Sequence, residues 1–142
     1  MIQHFRFGAP LPTDSVVQDI PVSAGPVPFL TAEKDGWAYR MAPDAIVYGL
    51  GEMPRGINKR GHLYRAWNMD DFSHTENKGG IYSSHNLLLF SGEQGVFGAY
   101  FDDPGAVTFD LGYSDGGKAV ITSENGNLSV YLIESTTLTG LV

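Results

Sequence analysis

The sequence predicts an all-β domain, and three observations carry that expectation. Glycine accounts for 18 of 142 residues, against a usual share of about 7%, and eight prolines add to the supply of turns. Threonine, tyrosine, phenylalanine and valine, which suit a half-buried pleated surface, fill the stretches between those turns. Apolar and polar residues alternate with period two in one short run after another, and only the last residues show helical spacing. A chain of 142 residues with 42% hydrophobic content is long enough for one domain with a real core.

Taken in order, the first strand is Ile2–Phe7, with Ile2, His4 and Arg6 on one side and Gln3, Phe5 and Phe7 on the other. Residues 15–22 are the next candidate, confined to an edge or ended by Pro21. Residues 27–31 follow the Gly25-Pro26 break. Trp37–Met41 and Ile46–Leu50 read as consecutive strands around the turn tripeptide Ala42-Pro43-Asp44. A basic turn with Arg55, Asn58, Lys59, Arg60 and Gly61 leads to the strand Leu63–Trp67. That strand empties into a loop crowded with Asn68, Asp70, Asp71, Ser73, His74, Thr75, Glu76 and Asn77. Binding groups collect in such loops, because a loop can converge polar side chains that a core cannot satisfy.

From Tyr82 onward the strands are plainer. Asn86–Phe90 is a near-continuous apolar run suited to burial on both faces. Ser91–Gly95 reads as a five-residue hairpin turn into the return strand Val96–Phe101. Val107, Phe109 and Leu111 alternate with Thr108 and Asp110, a half-buried strand, and Tyr113–Gly117 turns again. Val120–Thr122 and Leu128–Ile133 flank Asn125-Gly126, the strongest short hairpin signal. Ser and Thr caps stand before Leu138, Leu141 and Val142, spaced i, i+3, i+4, which predicts entry into an amphipathic helix. The expected division is therefore a β domain over 1–134, then the start of a helix over 135–142. A helix left unfinished predicts that the chain is the front of something longer.

Composition excludes several function classes. A formal charge of −7 argues against a nucleic-acid partner, since phosphate binding needs a basic face. There is no cysteine, hence no disulfide frame and no thiol nucleophile. The first ten residues lack a signal-peptide apolar region, and no run reaches the roughly 18 apolar residues of a membrane span. A cytoplasmic protein is the expectation. Gly49-Leu50-Gly51 is no dinucleotide fingerprint, because Pro54 stands where the third glycine belongs. Those glycines instead predict a sharp turn or a close approach to another strand. His62, His74 and His85 lack the tight spacing of local metal pairs, so no metal site is expected. Asp70-Asp71 is a carboxylate pair, and glycoside hydrolysis uses two. Neighbouring side chains of an extended segment point to opposite sides, however, so the pair is poorly placed to flank one bond. Asn127-Leu128-Ser129 is a formal glycosylation sequon that we read as chance.

Six stretches together resemble one family. Tyr48-Gly49-Leu50-Gly51-Glu52, Asn58-Lys59-Arg60-Gly61 and Trp67-Asn68-Met69-Asp70 come first. Leu87-Leu88-Leu89-Phe90, Gly98 to Pro104 and Thr108 to Gly112 follow in the same order and spacing. They are similar to the N-terminal region of glycoside hydrolase family 31, chiefly α-glucosidases, with its Y-G-L-G-E, N-x-R-G, W-N-x-D and G-x-x-F-D-N-P segments. The resemblance implies an antiparallel β-sandwich of the galactose-mutarotase-like kind, packed on a (β/α)8 barrel that is not in this sequence. It implies a retaining enzyme without a cofactor, whose catalytic carboxylates belong to the barrel, so that no catalytic residue lies in this chain. A loop of the sandwich would help form the substrate pocket, with Asp70 touching sugar hydroxyls and Trp67 and Asn68 beside it. The partners implied are an α-glucoside or oligosaccharide and the barrel of the same parent. Without that barrel the chain is expected to expose an apolar face and self-associate. The rival expectation is a stand-alone carbohydrate-binding sandwich without catalytic activity.

Overall fold

A computed structural model describes residues 1–8, 23, 27–73 and 75–141; the candidate strand at 15–22 lies outside them. Ten strands form among the described residues: β1 (Ile2–Phe7), β2 (Leu30–Glu33), β3 (Gly36–Arg40), β4 (Ile46–Gly51), β5 (His62–Ala66), β6 (Ser84–Gly92), β7 (Gly95–Asp102), β8 (Val107–Leu111), β9 (Lys118–Ser123) and β10 (Leu128–Ser135). They make two five-stranded sheets, ordered β1-β10-β7-β6-β4 and β2-β3-β9-β8-β5. Every pairing is antiparallel. The chain is a β-sandwich.

The period-two alternation decides what lies between the sheets. Val47, Leu88, Phe90, Phe97, Phe101, Val130 and Leu132 of the first sheet are buried against Tyr39, Tyr64, Phe109, Leu111 and Ile121 of the second. Aromatic rings join the layers. Tyr39 stands edge-on to Phe90 and Phe97, with centroids 4.9 and 5.0 Å away, and Phe101 meets Phe109 edge-on at 5.8 Å. Such pairs contribute roughly 0.5–1.5 kcal/mol beyond their buried area.

Two local expectations are corrected. The β6–β7 hairpin is tighter than five residues, since β6 runs to Gly92, paired directly with Gly95. Gly95 takes a φ of 113° to make that turn possible. Asn125-Gly126 does not close a hairpin. β9 pairs with β3 and β8 in one sheet, while β10 pairs with β1 and β7 in the other. The turn passes the chain between layers. The reason is burial: every residue from Leu128 to Leu132 is buried, and such a run needs neighbours on both sides and cover on both faces. The expected start of a helix at the C-terminus is present as a 3₁₀ turn, Leu138–Leu141. Its amide at Gly140 donates to the hydroxyl and carbonyl of Thr137, and buried Leu141 anchors it against β10, β7 and β6. Among the described residues no helix is long and apolar enough to cross a membrane.

The glycines of β4 do what a close approach requires. Opposite β4 the register on β6 jumps from Leu88 at Gly49 to His85 at Leu50, leaving Asn86 and Leu87 without a partner on β4. This bulge brings the β6 backbone against Gly49, where an added Cβ would lie 2.1 Å from the Leu87 carbonyl oxygen at a φ of 123°. Gly49→Ala should therefore lower unfolding free energy by about 3 kcal/mol. Gly116→Ala, with nothing near its Cβ, should stay close to wild type. Urea denaturation of the two variants checks both outcomes.

Candidate functional site

β5 leaves the second sheet at Ala66, and β6 enters the first at Ser84. The loop between them is strapped at its neck. The Asn68 side-chain oxygen accepts from the Ser84 amide at 2.8 Å and its hydroxyl at 3.0 Å, and the Met69 amide donates to the Tyr82 carbonyl at 3.2 Å. Farther out, Asp71 accepts from the Ser73 amide at 2.8 Å and forms an ion pair with Lys78. The returning limb lies along β5, where the Arg65 amide donates to Gly79 at 3.1 Å. Arg55 bonds the carbonyls of both Leu63 and Asn77.

Within this frame the adjacent acids differ. Asp71 is the loop's structural acid, its side chain only 17% exposed. Asp70 is exposed and makes no hydrogen bond or ion pair among the described residues. An Asx turn at this point belongs to Asp71, and Asp70 lines, with Asn68, Met69, Tyr82 and Ser83, a shallow open groove of about 490 Å³.

The three residues singled out from the sequence lie together at the start of the loop, but with different duties. Asn68 is a strap through its oxygen, with its amide nitrogen left over. Trp67 is 46% exposed, and the Arg65 guanidinium stands 5.5 Å from its ring centre. Glu124 holds that guanidinium by two contacts at 2.8 and 3.2 Å. The hydrogen bond raises the Arg65 pKa and lowers that of Glu124. Both side chains are about half exposed, 46 and 51%, so the pair orients Arg65 more than it stabilises the fold.

On the other side of the Asn68–Ser84 strap lies a cleft of about 380 Å³. His85, Asn86, Tyr100 and Asp103 line it with Trp67; of these four the sequence raises only His85, and then as a metal ligand rather than a sugar contact. Asp103 sits in the Gly98 to Pro104 stretch that carries part of the family resemblance, with no site role read for it there. In the fold it is buried and accepts from the Gly105 amide at 2.7 Å, Asn125 Nδ2 at 2.9 Å and the Ser123 hydroxyl. It thereby ties the β7–β8 turn to the β9–β10 crossing. His62 lies on β5 and His85 on β6, while His74 falls outside the described residues. Among the described residues no cluster of His, Cys, Asp or Glu is arranged for a metal ion.

The profile of the glycosyl hydrolase 31 N-terminal galactose mutarotase-like domain matches residues 25–110, more than half of the chain. The chain belongs to this family. Among solved structures it is similar to a GH31 dextranase of Flavobacterium johnsoniae, with a TM-score of 0.67 and 20% identity over 80% of this chain. It is similar also to a cycloalternan-forming enzyme of Listeria monocytogenes (TM-score 0.59, 17% identity, 70% of this chain). A cycloalternan-degrading enzyme of Trueperella pyogenes follows (TM-score 0.52, 16% identity, 67% of this chain). At these identities the likeness is one of fold. The chain spans 14, 10 and 13% of those three proteins. No match is found among curated proteins.

The division of labour between the acids is testable by stability alone. Asp71→Ala removes a partly buried ion pair and a turn bond, and should lower unfolding free energy by about 1–2 kcal/mol. Asp70→Ala removes no partner and should shift it by less than about 0.5 kcal/mol. Thermal melts of both variants provide the comparison.

Proposed function

We propose that this chain is the N-terminal accessory domain of a retaining α-glucosidase that releases terminal α-linked glucose. Its loop from Trp67 to Thr75 supplies part of the substrate pocket, and Asp70 accepts hydrogen bonds from sugar hydroxyls. The observation that carries this reading is a carboxylate without a partner on a loop whose flanking residues are tied down. Such a group keeps its acceptor capacity for a ligand, and the anchored loop limits the ordering cost of binding. Family membership supports a glycoside hydrolase as the parent. The Flavobacterium dextranase is solved with glucose and with isomaltotriose, and the Listeria enzyme with a pentasaccharide substrate. Those complexes support an oligosaccharide of glucose as the substrate here.

Catalysis itself is assigned to the barrel of the parent. A retaining mechanism needs a nucleophile and an acid/base about 5–5.5 Å apart on opposite sides of one bond. Asp71 pairs with Lys78, which leaves Asp70 as a lone acceptor rather than one of a catalytic couple. The barrel is proposed to cover the outer face of the first sheet. There Ile2 and Ile46 are 51 and 37% exposed, with Leu89 and Ile133 half-buried on the same face. Without that cover the chain should self-associate, and a clean monomer at high concentration in light scattering would count against the assignment.

Two activity measurements test the reading. Residues 1–142 alone should not turn over p-nitrophenyl α-glucoside. In the full-length parent, Asp70→Ala should lower kcat/KM by roughly ten- to a hundredfold, since a hydrogen bond to a charged group contributes about 1.5–3 kcal/mol. Its melting temperature should hold. Asp71→Ala should show the reverse pattern, with a smaller loss of kcat/KM and a lower Tm. Equal, small losses of activity from both substitutions would remove Asp70 from the pocket.

A further inference from the structure

The cleft beside Trp67 has the chemistry of a second sugar contact. Its lining offers an indole, a phenol, an imidazole and an amide, a set suited to a neutral polyol. The carboxylate in its wall, Asp103, is already held by three donors. The charge of that carboxylate disfavours phosphorylated or otherwise anionic ligands, as does the chain's net charge of −7. Trp67 and Tyr100, 46 and 39% exposed, give the cleft two aromatic surfaces against which the C–H face of a pyranose can be buried. A volume of about 380 Å³ lies within the usual range for small-ligand sites.

Two features of the backbone aim the polar groups. The β6 bulge releases Asn86 from pairing with β4, and a bulge of this kind re-aims a side chain. Asn86 makes one contact, Nδ2 to the Asp103 carbonyl at 3.5 Å, which is at the limit of a hydrogen bond. Its side-chain oxygen has no hydrogen-bond partner among the described residues. The His85 ring lies where a side chain at position 51 would stand, since a Cβ on Gly51 would come within 2.5 Å of it. His85 and the Tyr100 hydroxyl carry no hydrogen bond among the described residues. Asn68 lines both this cleft and the Asp70 groove, so the two meet on either side of one strap.

We propose that the cleft between Trp67 and Tyr100 binds a second, neutral pyranose ring of the same oligosaccharide, with Asn86 and His85 hydrogen-bonding its hydroxyls. The inference rests on the sugar-handling role assigned to the Asp70 groove and extends it, so that the domain contacts a chain of at least two residues rather than a single glucose.

Trp67 supplies the reporter, because Trp37, the other tryptophan, is only 6% exposed. Titration of the 142-residue chain with isomaltotriose and maltotriose should give a saturable change in tryptophan fluorescence, with glucose weaker. Asn86→Ala and Tyr100→Ala, each checked for its circular dichroism spectrum, should each weaken binding by about tenfold, the worth of one good contact. Weakening by Asp70→Ala alone, with both cleft variants at wild-type affinity, would overturn the cleft and leave the Asp70 groove standing. Weakening by the cleft variants with Asp70→Ala unchanged would uphold the cleft and fail the Asp70 reading. No saturable change up to about 10 mM of either trisaccharide, a binding free energy weaker than about −3 kcal/mol, would overturn the proposal.

Discussion

The guanidinium of Arg60 is the join on which one side of this sandwich depends. Its Nη1 donates to the carbonyls of Ala42, Pro43 and Ala45 at 2.7, 3.0 and 3.0 Å, and its Nη2 to Gly116 at 2.8 Å. One planar fork thus binds the β3–β4 turn to the β8–β9 turn. A point charge on a flexible stem cannot serve carbonyls in two directions in the same way. Asn58, two residues earlier, accepts from the amides of Val47 and Arg60, and the Lys59 amide donates to the Val47 carbonyl at 2.7 Å. The exposed edge of β4 is thereby satisfied by the connection that leaves it, which blunts a natural site for unwanted strand pairing.

The same connection closes the gap between the sheets. Tyr64 is fully buried on edge strand β5, and Arg55 and Lys59 stand 5.1 and 5.8 Å from its ring centre. Lys59 is 6% exposed. Burial, and then the charge of Arg55, pull its pKa below the ordinary lysine value, while burial raises that of Tyr64. Two cations beside one aromatic ring are each attracted to it and repel each other. The arrangement holds because Arg55 is drawn toward the carbonyls of Leu63 and Asn77. Those bonds also pin the loop that carries Asp70, so the closure of the core and the pose of the candidate site share one set of contacts.

Phe29, Asp35 and Arg55 have positive φ, but the longest run of it lies on the strand that feeds this connection. Gly49, Leu50 and Gly51 all have positive φ, at 123, 69 and 70°. Leucine is costly there, yet Leu50 is fully buried, and its burial offsets the cost by about 1.5–3 kcal/mol. The bulge that results takes β6 out of register at Asn86. Local distortion in β4 is therefore what shapes the cleft on the neighbouring strand.

Much of this was legible in the sequence because it depends on local chemistry. Period-two alternation places Phe97, Ala99 and Phe101 on one face whatever their partners, and the glycines of β4 announced a close approach before the Leu87 carbonyl was known to be its cause. Trp67, Asn68 and Asp70 were recognisable as a group because one loop carries them. Long-range pairing was not legible. Asn125-Gly126 has the chemistry of a hairpin turn, but the turn cannot choose between folding β10 back on β9 and sending it to the other sheet; burial of β10 between β1 and β7 made that choice. Nor can adjacency show which of two aspartates is tied down, since Lys78, seven residues on, holds Asp71. The cleft lining comes from β5, β6, β7 and the turn after β7, residues 66–105, with no pattern to link them in the chain. The sequence by itself determined the strands, the turns and the candidate loop, which follow from backbone preference and polarity over a few residues. Only the tertiary structure decided sheet membership, the free carboxylate and the second cleft, because each depends on which distant groups burial brings within bonding distance.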